Sequence, residues 1–158
     1  MNREDQLTDL GNRKFIMERL EGEIERAVRY DAPLTVVLLD VDGMTHVNDT
    51  HGREAGDQVL QAVAEMIKSQ IRGTDVAARY DGEEFVILCP HTDRPNAQFL
   101  AERLRRRVAE MTFNGREEEF GVTISLGLVT VKGDDEADVE SVLAAAEQAL
   151  ESAKMGGA

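Results

Sequence analysis

Apolar residues return along this chain with two different periods, and the switches between them mark out its elements. Over 13–28, Phe15, Ile16, Leu20, Ile24, Ala27 and Val28 recur at helical spacing between charged residues. Asp31-Ala32-Pro33 ends that helix. Residues 34–39 are β-branched and almost continuously apolar, as expected of a central strand covered on both faces. The strand runs out into Asp40-Val41-Asp42 and Gly43. A short segment over 44–49 and a turn near Gly52 lead to a longer helix over 54–71, with Val59, Leu60, Val63, Met66 and Ile67 on one face. Helical spacing returns over 94–111. There Phe99, Leu100, Leu104 and Val108 are predicted to face inward, and Arg103, Arg105, Arg106 and Arg107 outward. A long strand over 120–131, a turn over 133–135 and a helix over 138–155 close the chain.

Between the second and third helices, residues 75–90 place two apolar-rich runs around Asp81-Gly82. An Asp-Gly pair in that setting predicts a β-hairpin with a type I′ turn, whose central residues both need φ > 0. Glu83 and Glu84 follow at once, with Glu83 expected to open the second strand. Successive strand side chains point to opposite faces, so only one glutamate can serve a given site beside the sheet.

The order of strand, helix, hairpin, helix, strand and helix predicts an α+β fold of the split βαβ type. It implies a mixed sheet with helices packed against it and an extra helix at the front. A length of 158 residues suits one domain over 1–158, with 1–12 as an ordered lead-in. Acidic residues number 31 against 18 basic, a net charge of −13, which excludes non-specific binding to a nucleic-acid backbone. No apolar run approaches the roughly 20 residues of a membrane span, and the N-terminus has no apolar signal segment. A cytoplasmic setting is expected. The lone cysteine, Cys89, reads as a small core residue.

Acidic side chains carry the candidate chemistry. Asp40 and Asp42 end the first strand and Glu83 begins the strand after the hairpin, so with those strands as neighbours the three carboxylates are expected to converge at one edge of the sheet. Hard oxygen ligands suit Mg²⁺ (or Mn²⁺) rather than Zn²⁺. His46, His51 and His91 have no ligand spacing and read as surface or loop residues.

Several stretches together resemble the GGDEF domain, the bacterial diguanylate cyclase family. They are Asp5-x-Leu-Thr-x-Leu-x-Asn12-Arg13, then Asp40-Val-Asp42 followed by Asn48-Asp49, Gly52 and Gly56-Asp57. Arg79-Tyr80-Asp81-Gly82-Glu83-Glu84-Phe85 corresponds to the name-giving motif. Val122-Thr-Ile-Ser125-x-Gly127 and Ala149-Leu150-x-x-Ala153-Lys154 correspond to the closing strand and helix. The resemblance implies a ferredoxin-like, palm-type fold, as in nucleotide cyclases. It implies a nucleotidyltransferase that condenses two GTP, one per protomer of a homodimer, into cyclic di-GMP and pyrophosphate. Asp40, Glu83 and the Val41 carbonyl would ligate the metal, with Glu84 as a further catalytic position. Asn48 and Asp57 would read guanine, Gly82 would let the backbone approach the phosphates, and Lys154 would offer them a cation. An N-terminal sensory or receiver domain, not in this chain, is the usual regulatory partner.

The resemblance implies a second site as well. Arg72-Gly-Thr-Asp75 begins nine residues before Asp81, where the family keeps an inhibitory RxxD motif that binds cyclic di-GMP, with Arg103 as its proposed completing arginine. By itself the pair reads equally as a helix-ending Arg and a strand-opening Asp that bond each other. Six positions depart from the family pattern: Asp81 stands for Gly, Met44-Thr45 for Phe-Lys, Ala158 for Arg, and Glu147 and Glu151 for Asp and Tyr. An added carboxylate and fewer cations near a triphosphate leave two readings, an active cyclase or a degenerate domain acting as a receptor for cyclic di-GMP or GTP.

Overall fold

The computed structural model describes residues 3–133 and 136–156. Four strands form the central sheet: β1 (Leu34–Val41), β2 (Val76–Asp81), β3 (Glu84–Pro90) and β6 (Ile124–Val131), in the order β2-β3-β1-β6. A two-stranded ribbon, β4 (Phe113–Asn114) with β5 (Glu119–Phe120), stands apart from it. The helices are α1 (Arg13–Tyr30), α2 (Met44–His51), α3 (Arg53–Gln70), α4 (Arg94–Ala109) and α5 (Val139–Lys154).

Every pairing between strands of the central sheet is antiparallel, where a mixed sheet was expected. The reason lies in the crossovers. β1 and β2 run the same way but are not neighbours, because β3 folds back between them. β3 and β6 likewise run together with β1 between. Each βαβ crossover is thus split by one inserted strand. Among the described residues, parallel pairing is confined to a single bridge between Gly11 of the lead-in and Ala78 of β2.

Burial explains the unbroken apolar run in β1, whose residues are all buried. Val37 and Leu39 pack with Val63, Ile67, Phe85 and Leu104 on the α3–α4 side. Val36 and Leu38 pack with Ile16, Leu20, Val86 and Leu150 on the α1–α5 side. The alternation of a strand feeds two cores at once. Caps set the helix starts. Asn12 accepts from the Phe15 N–H, Asp93 from the Asn96 N–H, and Asp138 shares a reciprocal capping box with Ser141.

One glycine fixes how closely the last helix can approach. A Cβ at Gly127 of β6 would stand 2.3 Å from the Leu150 backbone nitrogen and 2.6 Å from the Ala146 carbonyl. α5 therefore lies directly on β6, and its last residue, Lys154, reaches the end of β1.

Three expectations need correction. The strand predicted over 120–131 is interrupted at 121–123, because Phe120 pairs with Phe113 in the small ribbon while Ile124 pairs with Val41 in the main sheet. Phe99 is 72% exposed rather than inward, since Leu100 and Leu104 already fill the face of α4 that meets the core. His51 is buried rather than superficial. Its ring stacks on Phe120 with centroids 4.2 Å apart and planes 6° from parallel, which ties α2 to the ribbon. The turn expected over 133–135 and the departure at Ala158 fall partly or wholly outside the described residues.

Candidate functional site

β1 and β3 bring the first carboxylates together. Asp40 lies directly opposite Glu84 in the register, and the Val41 N–H donates to the Glu83 carbonyl at 3.1 Å. Glu83 stands in the turn and Glu84 opens β3, one residue later than expected. The turn is not type I′: neither Asp81 nor Gly82 has positive φ. A β-bulge takes its place, leaving Tyr80 unpaired between Arg79 and Asp81 and supplying the local twist that a primed turn would otherwise provide. Two side chains then hold the turn. Asp81 Oδ1 accepts from the Gly82 N–H at 2.9 Å, and Arg79 Nε donates to the Gly82 carbonyl at 2.9 Å. The space where a Gly82 side chain would stand is open.

Asp40 is 6% exposed. Its Oδ2 is ion-paired with Lys154 Nζ, while its Oδ1 is buried and has no hydrogen-bond partner among the described residues. Asp42 does not join it in facing β3. Thr123 and Ser125 on the β6 side donate their hydroxyls to Asp42 at 2.7 and 2.8 Å. The field at this end of the sheet is strongly negative. Burial, then Asp40, pushes the Glu83 carboxyl up, with Asp81 adding to the shift against the pull of Lys154. Glu84 is pushed up to about 7 by burial, then by Glu147, Asp40 and Asp81. Lys154 is held protonated above its ordinary range by its hydrogen bond to Asp40. One lysine thus faces several carboxylates. Among the described residues no three metal-ligating side chains already form a cage. An orphaned buried carboxylate oxygen with further acidic groups beside it nevertheless fits a hard divalent cation such as Mg²⁺.

A pocket of about 460 Å³ adjoins this corner, and Asn48, Asp57, Gly82 and Glu83 all line it. The structure therefore brings together four of the sequence-predicted positions, with Glu83 common to the acidic corner and the pocket. Lys154 is at Asp40 and is not among the lining residues. Thr45 lines the pocket, and Met44, also at its wall, is buried in the core. Two cations in the lining, Arg53 and Arg79, had been given no role. Arg79 was visible within the hairpin motif. Arg53 directly follows Gly52 at the start of α3, where its side chain has no ion pair among the described residues.

The third constellation lies at the opposite end of β2 and β3. Arg72, Asp75 and Arg103 line one groove of about 280 Å³ with Phe99 and His91. Arg72 already has partners: its guanidinium bonds Asp75 Oδ1 at 3.2 Å, the Pro90 carbonyl at 3.0 Å and the Thr92 hydroxyl. Arg103 donates to the side chain and carbonyl of Gln70. In this state Arg72 and Asp75 do bond each other. The neighbouring Cys89 is buried and its thiol is pushed up to about 12, chiefly by burial, so it is inert as a nucleophile.

Residues 2–158 match the family described as diguanylate cyclase, GGDEF domain. The chain belongs to the GGDEF family. Diguanylate cyclase DgcP of Pseudomonas aeruginosa is 39% identical over 153 residues, which is 97% of this chain and 22% of that protein. Response regulator PleD of Caulobacter vibrioides is 36% identical over 156 residues, 97% of this chain and 34% of that protein. The GGDEF domain therefore spans between a fifth and about a third of these curated relatives. In three dimensions it superposes on the GGDEF domain of DgcB from Caulobacter crescentus, solved in complex with c-di-GMP. The TM-score is 0.92 at 31% identity, covering 98% of this chain and 89% of the other. Of these relatives DgcP is named a diguanylate cyclase, which is a nucleotidyltransferase. No helix among the described residues is long and apolar enough to cross a membrane.

Proposed function

We propose that this GGDEF domain is itself a diguanylate cyclase, joining two GTP molecules into cyclic di-GMP with release of pyrophosphate. The observation that carries this reading is the buried, unpartnered Asp40 Oδ1, set across the strand from Glu84 and beside a pocket that Glu83 shares with Asn48 and Asp57. Asp40, Glu83 and the Val41 carbonyl would hold Mg²⁺ (or Mn²⁺), which when bound neutralises triphosphate charge and favours ionisation of the attacking 3′-hydroxyl. Asp57 accepts from guanine N1–H and the 2-amino group, and Asn48 completes the base edge. Adenine lacks those donors and leaves the carboxylate unpaired. Gly82 leaves room for phosphate oxygens above the turn. Arg53, Arg79 and Lys154 supply cations, which offsets the loss at Thr45. Each protomer holds one GTP, so the bond forms between two copies of the domain. Arg72, Asp75 and Arg103 form the product site, where cyclic di-GMP would take over bonds that Arg72 now makes to Asp75 and Thr92.

A second reading is favoured by the excess of carboxylates. Asp81, in place of Gly, helps push Glu84 up, and Glu151, in place of Tyr, adds a carboxylate near Lys154. On that reading the domain is a weak cyclase or a receptor for cyclic di-GMP or GTP.

Incubation at high protein concentration with GTP and Mg²⁺, followed by nucleotide chromatography, decides between them. Cyclic di-GMP is the expected product, and Asp40→Asn should remove both product and Mg²⁺-dependent GTP binding. No product, together with calorimetric binding of cyclic di-GMP that Arg72→Ala abolishes, would establish the receptor reading instead.

A further inference from the structure

The α2–α3 corner turns on Gly52, which has φ 93° and caps both helices. Its N–H donates to the Asn48 carbonyl at 3.0 Å, and its own carbonyl accepts from the Gly56 N–H at 3.2 Å. Asn48 and Gly56 are thus placed four residues either side of the corner and face each other across it. Gly56 is buried, whereas Asn48 is exposed at the pocket wall. A Cβ at Gly56 would stand 1.9 Å from Asn48 Oδ1 and 3.1 Å from its Cγ. The first of these is far inside any tolerated contact, so the Asn48 side chain would have to move. Since Gly56 has ordinary helical φ, its glycine is not demanded by the backbone. Alanine in a helix interior would in fact be favoured over glycine. The carboxamide of Asn48 makes no hydrogen bond among the described residues. As an exposed side chain it would be free to rotate were it not seated in the dent over Gly56.

We propose that Gly56 is a positioning and specificity-determining residue of the guanine pocket: its missing side chain is the seat that holds the Asn48 carboxamide beside Asp57. The proposal rests on the cyclase or GTP-receptor reading of that pocket. With Oδ1 turned into the dent, Nδ2 is turned out of it, so Asn48 presents a donor next to the carboxylate acceptor of Asp57. Guanine offers an acceptor adjoining its N1–H donor, and the pair of residues matches that edge. A side chain at position 56 would eject the carboxamide while leaving the Asp57 carboxylate, the acidic corner and the cations in place. What would be lost is discrimination between bases.

The test is competition binding of GTP, ATP and tripolyphosphate to the original domain and to the variants Gly56→Ala, Asn48→Ala and the double variant, with thermal unfolding of each. Gly56→Ala should lower the GTP/ATP preference by roughly five- to tenfold, the worth of one neutral hydrogen bond, with tripolyphosphate affinity unchanged. The double variant should discriminate no worse than Asn48→Ala alone. Adding Gly56→Ala to Asn48→Ala should raise the melting temperature, because the overlap with Asn48 is gone, helix propensity favours alanine, and the remaining 3.3 Å contact is with the flexible end of Met44. If the original domain prefers GTP and Gly56→Ala keeps that preference, the proposal is wrong while the pocket reading stands. Additive losses in the double variant would overturn it equally. Absence of any GTP preference in the original domain would instead overturn the pocket reading on which the proposal rests.

Discussion

Asp40 and Glu84 face one another across neighbouring strands, and the carboxylates there act on Glu84. Its carboxyl is raised in the folded state to about 7 from an ordinary 4.5, so the folded domain holds that proton more tightly than the unfolded chain. The resulting stability is fully present below about pH 4.5 and is lost as pH rises through about 7. Melting temperatures of metal-free protein should therefore show a decline across that window that Glu84→Gln removes and saturating Mg²⁺ reduces. Asp81 contributes to the same shift, yet its side chain also braces the turn through the Gly82 N–H. Asp81→Gly should lower the pKa of Glu84 and raise the rate of cyclic di-GMP formation more than GTP affinity, since less repulsion opposes the transition state. An unchanged rate would mean that neither the charge nor the brace limits turnover, and a lowered rate that the brace matters more than the charge. At this scale the sequence was most readable where candidate positions are contiguous, as in Asp81-Gly82-Glu83-Glu84, though not in the type of turn they make. It was least readable where a role depends on a distant partner: Lys154 bonds Asp40, Asp42 turns to Thr123 and Ser125, and Arg53 meets the pocket only through the α2–α3 corner.

α1, α3, α4 and α5 were legible to within a residue or two because their apolar residues hold a 3.6-residue period over several turns, whereas α2, two turns long, was read only as a short segment. The ribbon β4–β5 escaped, since strands of two residues carry no period. The run over 120–131 hid a change of pairing partner that alternation cannot register. Gly127 shows how one residue sets the position of an element. Gly127→Ala would drive a methyl group into the backbone of α5 at Ala146 and Leu150, which cannot yield as a flexible side chain would. Urea unfolding should show a loss of about 1–3 kcal/mol, typical of overpacking. Lys154 rides on the same helix, so the variant should also weaken Mg²⁺-dependent nucleotide binding. Loss of stability with unaltered binding would uncouple the helix from the site.

The order of elements implied the split topology but left open which strands would be neighbours, because adjacency is decided by crossovers and not by any single segment. The lead-in illustrates the same limit. Asp5 accepts from the Thr8 N–H and hydroxyl at 2.9 and 2.6 Å and pairs with Arg79, which in turn grips the Gly82 carbonyl. Burial alone would raise the Asp5 carboxyl, but Thr8 and Arg79 outweigh it and hold it below its ordinary range. The N-terminal segment is thus linked to the acidic turn by two side chains. Asp5→Ala leaves buried Thr8 without its acceptor and should cost about 1–3 kcal/mol. Hydrogen exchange should quicken both in the lead-in and over 79–84. Faster exchange in the lead-in alone would show that the turn is independently held.

β1 lies between β3 and β6, so Asp40 is synthesised well before either cross-strand neighbour, Glu84 or Ser125. Loop-closure entropy must be met before these long-range pairings are rewarded, which makes such topologies slow to fold. On a ribosome the acidic corner cannot exist until the last strand has emerged and docked. A cation or nucleotide captured there would consequently hold together segments from the whole length of the chain. It would protect every element against proteolysis at once, including those nowhere near it.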